Sequence, residues 1–114
     1  MPADELPLFV QWEATLGEIL DRTARFPKAV RFTFGQRIDG LGLDVMQRLV
    51  EARYSREKAA SLRAAGLSIE TIRVLCRVAH ARGYLDHKGF EGVVRRLDEA
   101  GRMVGGWIRS RGQA

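Results

Sequence analysis

Cysteine is almost absent: Cys76 is the only one in 114 residues. A lone thiol cannot close an internal disulfide, so nothing points to a disulfide-stapled secreted domain. Long apolar runs are missing too. None approaches the ~18 residues a membrane span requires. The first stretch, "MPADELPLFVQWEATLGEIL", is acidic where a signal peptide would be basic, and its apolar residues are interrupted. These absences predict a cytoplasmic protein with no membrane partner. Period-two alternation is not sustained anywhere, and no glycine-rich hairpin separates two β-branched runs, which argues against a sheet.

Catalytic patterns are equally scarce. Cys76 and His80 stand four apart and would share a helical face, half of a metal site. The only other imidazole is His87, and neither histidine has an acid three residues upstream, as a di-iron bundle would need. A buried thiol near a helix end is the simpler reading. Ser55, Ser61, Ser68 and Ser110 have no G-x-S-x-G setting. The "GLG" at 40–42 lacks a third glycine and a preceding strand, so it is not a dinucleotide loop. No catalytic residue, metal or cofactor is predicted.

What the chain does have is charge and helical rhythm. Its formal net charge is +5 and its pI about 10.1, above the ~9 at which nucleic-acid binding becomes a reading to weigh. The distribution is uneven: residues 1–21 carry acids and no cation, so the rest is more basic than the average. With 46% apolar and 29% charged residues the composition is that of a folded globular domain rather than a disordered chain. The length fits a single domain over 1–114.

Four segments carry apolar residues at three- and four-residue steps. They lie at about 8–26, 34–54, 55–82 and 87–110. Pro7 suits a first helical turn, and Pro27 stops the first segment by disfavouring the helical conformation at Phe26. Gly40 and Gly42 in the second segment read as places where another helix comes close. Ser55 is a candidate N-cap and Gly83 a candidate C-cap of the third. "AAGLSIE" admits a break with Ser68 as a new cap, but the regular pattern around Gly66 favours one long helix. Short connections between such segments predict an all-α, antiparallel up-down four-helix bundle. The second and third segments also carry extra apolar strips, Leu43, Met46 and Val50, then Leu67, Val74 and Val78. A surplus apolar face predicts a further partner, most simply another copy of the chain.

The stretch "RFPKAVRFTFGQRID" places Arg25, Lys28 and Arg31 around two phenylalanines, Phe32 and Phe34. Both rings are read as anchors packed under the bundle, because base stacking needs exposed rings. The candidate nucleic-acid-binding residues are Arg25, Lys28, Arg31, Arg73, Arg77, Arg82, Arg95 and Arg96. Internal ion pairing competes: Glu70 is placed for Arg73, and Asp98 and Glu99 for Arg95 and Arg102. Arg77 and Arg82 have the least local competition. Gly105, Gly106 and Trp107 read as a close helix approach beside a large packed ring.

Three stretches together, "RFPKAVRFTFGQRID", "RLVEARYSREKAASLRAAGLSIETIRVLCRVAHARGYLDHKGF" and "LDEAGRMVGGWIRS", resemble the accessory variability determinant (Avd) family of diversity-generating retroelements. The resemblance covers roughly residues 8–110. Its most specific parts run from Phe26-Pro27-Lys28 through Gly35-Gln36-Arg37-Ile38, and from Gly101-Arg102-Met103-Val104 to Gly105-Gly106-Trp107-Ile108. The first is partly shared with small four-helix proteins encoded in ribosomal RNA intervening sequences, which stand as the alternative family; the closing Gly-Arg-Met-x-Gly-Gly-Trp favours Avd. The resemblance implies a four-helix bundle assembling as a barrel-like homopentamer with a basic surface. It implies binding to the retroelement's reverse transcriptase and to template-repeat RNA and cDNA, in support of mutagenic cDNA synthesis and retrohoming. It implies no chemistry by the subunit itself.

Overall fold

A computed structural model describes residues 5–112. Asp4, one of the acids of the cation-free opening stretch, lies outside the described residues. The chain forms α1 (Glu5–Thr23), a short α2 (Lys28–Val30), a π-helical turn (Arg31–Gly35), α3 (Gln36–Tyr54), α4 (Lys58–Ala81) and α5 (His87–Gly112). The four long helices run up and down, with α1 beside α3 and α5, and α4 beside α3 and α5. The described residues contain no strand, as the missing alternation requires. The bundle is elongated, 47 × 22 × 19 Å, so it has two well-separated ends.

Each long helix buries one stripe. Leu8, Trp12, Thr15 and Ile19 of α1 face Ile38, Leu41, Val45 and Leu49 of α3 and the matching stripes of α4 and α5. Trp12 and Trp107 are both fully buried. The Trp12 indole N–H, left without water, donates to the Gly42 carbonyl at 2.9 Å. Gly42 is the close approach expected there, since a Cβ would stand 2.8 Å from the Leu16 side chain. Gly40 is not: a Cβ on it would meet nothing. The Gly105-Gly106 pair also departs from expectation. Added Cβ atoms would meet the Arg109 guanidinium of the same helix rather than a neighbouring backbone, so these glycines open the α5 surface instead of bringing two helices together.

The helix ends refine the expected bounds. α1 stops at Thr23 and tightens through 3.1 Å bonds from the Arg25 and Phe26 N–H groups to the carbonyls three residues back. α4 begins at Lys58 rather than at Ser55. The Ser55 hydroxyl accepts from the Glu57 N–H at 3.0 Å, holding a turn before the helix instead of capping it. α4 passes through Gly66 without a break. At its other end Gly83 takes φ +80, and the Gly83 and Tyr84 N–H groups return to the carbonyls of His80 and Ala79 at 3.1 and 2.8 Å. This double closure needs the left-handed conformation that glycine adopts without strain. Asp86 caps α5 by accepting from the Gly89 N–H at 2.7 Å.

Candidate nucleic-acid interface

Two connections meet at one end of the bundle, the α1–α3 segment and the α4–α5 turn. Phe26, buried just beyond α1, packs against Phe34 at 6.3 Å and Tyr84 at 6.1 Å between ring centroids, and Phe34 meets Tyr84 edge-on at 5.9 Å. Aromatic contacts at these distances and tilts are favourable beyond the area they bury. They fasten the residues around Pro27 to the turn after Gly83. Pro27 is the N-cap of α2, with φ −52 and ψ 140, so the chain restarts as helix at once instead of running as a loop.

The restart includes one wide turn. The Gln36 N–H reaches the Arg31 carbonyl five residues back, and π-helical turns of this kind are frequent at functional sites. Val30, Phe34 and Ile38 stand four apart and face inward. Phe32 does not. It is 71% exposed, which corrects the expectation that both rings anchor the connection. Gly35, buried inside the turn, lies where a Cβ would come within 3.4 Å of the Phe26 ring.

The expected cations fall in four places. Arg25, Lys28, Arg31 and Arg82 gather at this aromatic end, together with Arg37 at the start of α3. Arg82 lies beside Tyr84, its Nε donating to the hydroxyl at 3.4 Å and its guanidinium 6.0 Å from the ring centre; that bond raises its already high pKa. Arg31 is half-buried and donates from Nη2 to the Phe26 carbonyl at 3.2 Å, while its buried Nε has no acceptor. Arg77 is exposed on α4. Arg95 and Arg96 line a groove between α1 and α5 with Arg22, Lys88, Glu18 and Glu99.

Arg73 differs from the rest. It bridges Glu70 on its own helix and Asp98 on α5, so the pairing anticipated with Glu70 is present and Asp98 is drawn across to α4. Asp98 is therefore not the competitor for Arg95 and Arg102 that spacing suggested. Among the described residues, Arg25, Lys28, Arg77, Arg82, Arg95 and Arg96 form no ion pair.

Burial pushes the Cys76 thiol up to about 12, which keeps it protonated and unreactive at neutral pH. His80 stacks on Phe90 at 4.5 Å instead of turning toward Cys76. No group of three or more His, Cys, Asp or Glu among the described residues is arranged to hold a metal ion. No described helix is long and apolar enough to cross a membrane.

The model of the bAvd-like family matches residues 10–111, from α1 through almost all of α5. The chain belongs to the bAvd-like family. No curated protein matches the sequence. The matched span includes the wide turn with Phe32, the aromatic end and the closing Gly-Arg-Met-Val-Gly-Gly-Trp run, the parts on which the Avd resemblance rested. Sequence reasoning missed the exposure of Phe32 and the cap at Asp86. Both had a signal. Phe32 falls off the four-residue rhythm of Val30, Phe34 and Ile38, and Asp86 stands three before Gly89 at a helix start.

Proposed function

We propose that this bAvd-like protein is the non-enzymatic accessory subunit of a diversity-generating retroelement. It holds the reverse transcriptase together with template-repeat RNA and cDNA, in support of mutagenic cDNA synthesis and retrohoming. Family membership over residues 10–111 carries the reading and favours it over an intervening-sequence protein. The unpaired exposed arginines support it, because cations not spent on internal carboxylates are the ones available to phosphates.

In this reading the working form is a homopentamer. Leu43 and Val50 on α3, and Leu67, Val74 and Val78 on α4, are exposed and supply the apolar area that such an assembly would cover. Five copies at +5 each would carry about +25, a field that gathers polyanions without reading their sequence.

The test is co-purification with the reverse transcriptase encoded nearest to its gene, repeated across a salt series with RNA present. The expected result is a stoichiometric protein complex whose RNA affinity falls steeply with salt. A protein that captures neither the polymerase nor RNA would count against the reading.

A further inference from the structure

We propose that Phe32 is a stacking platform for an unpaired nucleobase, giving the aromatic end of the bundle a preference for single-stranded over duplex nucleic acid. The inference rests on the nucleic-acid-binding reading above and adds a site and a ligand class to it.

Four observations converge on this ring. First, Phe32 is 71% exposed on a helical segment, not on a mobile tip, and it makes no ring contact with any described residue. Its neighbours Phe26 and Phe34 are held in the aromatic trio, so the backbone beneath Phe32 is fixed while its own face is open. A stacking platform needs that combination of a fixed backbone and a free face.

Second, the ring forms one wall of a notch between α1 and the wide turn, lined also by Leu20, Ala24, Arg31, Gln36 and Asp39. The floor is partly apolar, suited to the flat face of a base. Third, the notch carries polar groups of the right kind. Arg31 lines the notch and is held in place by its Nη2 donating to the Phe26 carbonyl at 3.2 Å, which brings a fixed positive charge to the wall. Gln36 presents an exposed amide able both to donate and to accept. Asp39 is already occupied, accepting from the Thr23 hydroxyl at 2.6 Å, so its charge is tied to the protein.

Fourth, the charge around the ring complements a phosphate backbone. Arg25, Lys28, Arg37 and Arg82 occupy the same end and form no ion pair among the described residues. In a duplex both faces of each internal base are already stacked, so a protruding aromatic ring gains nothing from it. An unpaired base offers a free π-face whatever its identity. The site is therefore expected to be tolerant of sequence and selective for strandedness.

The measurement is fluorescence anisotropy of the full-length protein with labelled oligo(dT), and with the same strand annealed to its complement. Phe32→Ala should weaken single-strand binding roughly five- to 150-fold, the range for losing one stacked base, and leave duplex binding within about twofold. Phe32→Leu, which keeps an apolar side chain but no ring, should lose as much as alanine. Phe32→Trp should retain the affinity, and its emission should be quenched by oligo(dT). Trp12 and Trp107 are fully buried, so the quenched signal belongs to the new indole.

A wild-type protein that binds both probes, with Phe32→Ala unchanged or weakened equally on both, overturns the stacking assignment and leaves nucleic-acid binding standing. A wild-type protein that binds neither probe overturns the underlying reading, and the platform with it. Loss of polymerase capture in Phe32→Ala with oligo(dT) affinity intact would give the ring to the protein partner and also overturn the proposal.

Discussion

The two ends of the bundle contain similar ingredients and use them differently. Each has an exposed aromatic ring beside several cations: Phe32 at the end where α1 meets α3, and Tyr54 where α3 meets α4, exposed to 71% and 79%. At the Tyr54 end Arg53, Lys58 and Arg48 are engaged. The Arg53 guanidinium sits 5.6 Å from the centre of the Tyr54 ring. Lys58 donates to the carbonyls of Ala52 and Arg53 at 2.6 and 3.1 Å, closing the last turn of α3 where the helix dipole is negative. One turn further in, Arg48 is paired with Glu51, and this hydrogen bond is the main cause holding the Glu51 carboxyl below its usual value.

At the Phe32 end main-chain bonds, one carboxylate and aromatic packing do the equivalent work. Gly83 closes α4 through main-chain bonds, Asp86 caps α5, and the Phe26–Phe34–Tyr84 trio ties the two connections together. Arg25, Lys28 and Arg37 there form no ion pair among the described residues, while Arg82 lies against Tyr84 and Arg31 donates to the Phe26 carbonyl. A helix end finished by backbone and apolar contacts keeps its charged side chains available for a ligand, whereas one finished by lysine and arginine spends them. In the reading proposed above, the Phe32 end is the binding end and the Tyr54 end the structural one.

The largest effect should come from removing the ring at the centre of the trio. Phe26 is 1% exposed, and Phe26→Ala should cost about 3–5 kcal/mol, from lost burial plus the cavity left behind. Urea unfolding measures it. Tyr54→Ala, at the other end, should change stability by no more than about 0.5 kcal/mol, as exposed positions do. If the two substitutions proved equally mild, the Phe32 end would not be the rigid one and the contrast would fail.

The next effect is pH-dependent and reports on the same packing, because Cys76 lines a small internal cavity with Phe26, Ile38 and Leu85. Burial raises the thiol from its ordinary 9.0 to about 12. Below pH 9 both folded and unfolded chains keep the proton, and the stability is undiminished. Between 9 and 12 only the unfolded chain releases it, so stability should fall as pH rises, by at most about 1.4 kcal/mol per unit. Cys76→Ala should flatten this alkaline slope. An unchanged slope would mean that the thiol is not sealed beneath the aromatic end. Alkylation of native protein at pH 8 should likewise be slow, accelerating once urea opens the bundle.

Much of this architecture is legible from residue order, and the exceptions share a cause. Stripes such as Leu62, Ala65, Ile69, Ile72 and Cys76 repeat without interruption, so periodicity places α4 and its buried face. Gly83 is legible because a left-handed closure favours one residue type. Phe32 misleads because hydrophobicity argues for burial, although its place off the four-residue rhythm of Val30, Phe34 and Ile38 leaves no inward position for it. Ser55 misleads because a hydroxyl that holds a turn is spelled like one that caps a helix. Arg73 shows the opposite limit. Glu70 is visible three residues away, but the contact with Asp98 depends on the rotation of α5 against α4. Arg82 gains its place from Tyr84, two residues on, which itself is held by Phe26 and Phe34 from another connection. Local spacing finds the Glu70 partner of Arg73 but not the contacts that cross from one helix or connection to another.

The smallest effect is the most discriminating for the comparison. Tyr54→Ala and Phe32→Ala remove rings of similar exposure, and neither should move stability beyond about 0.5 kcal/mol. They should part company in binding. Tyr54 already has the Arg53 guanidinium over its ring, and a base would have to displace that cation before stacking. Tyr54→Ala should therefore leave affinity for oligo(dT) within about twofold, against the much larger loss expected for Phe32→Ala. Anisotropy on the two variants side by side decides the matter. Equal losses would make both ends binding surfaces, and the division of labour between spent and available cations would have to be abandoned. Loss at Phe32 alone would show that an exposed ring becomes a platform only where no cation already covers its face.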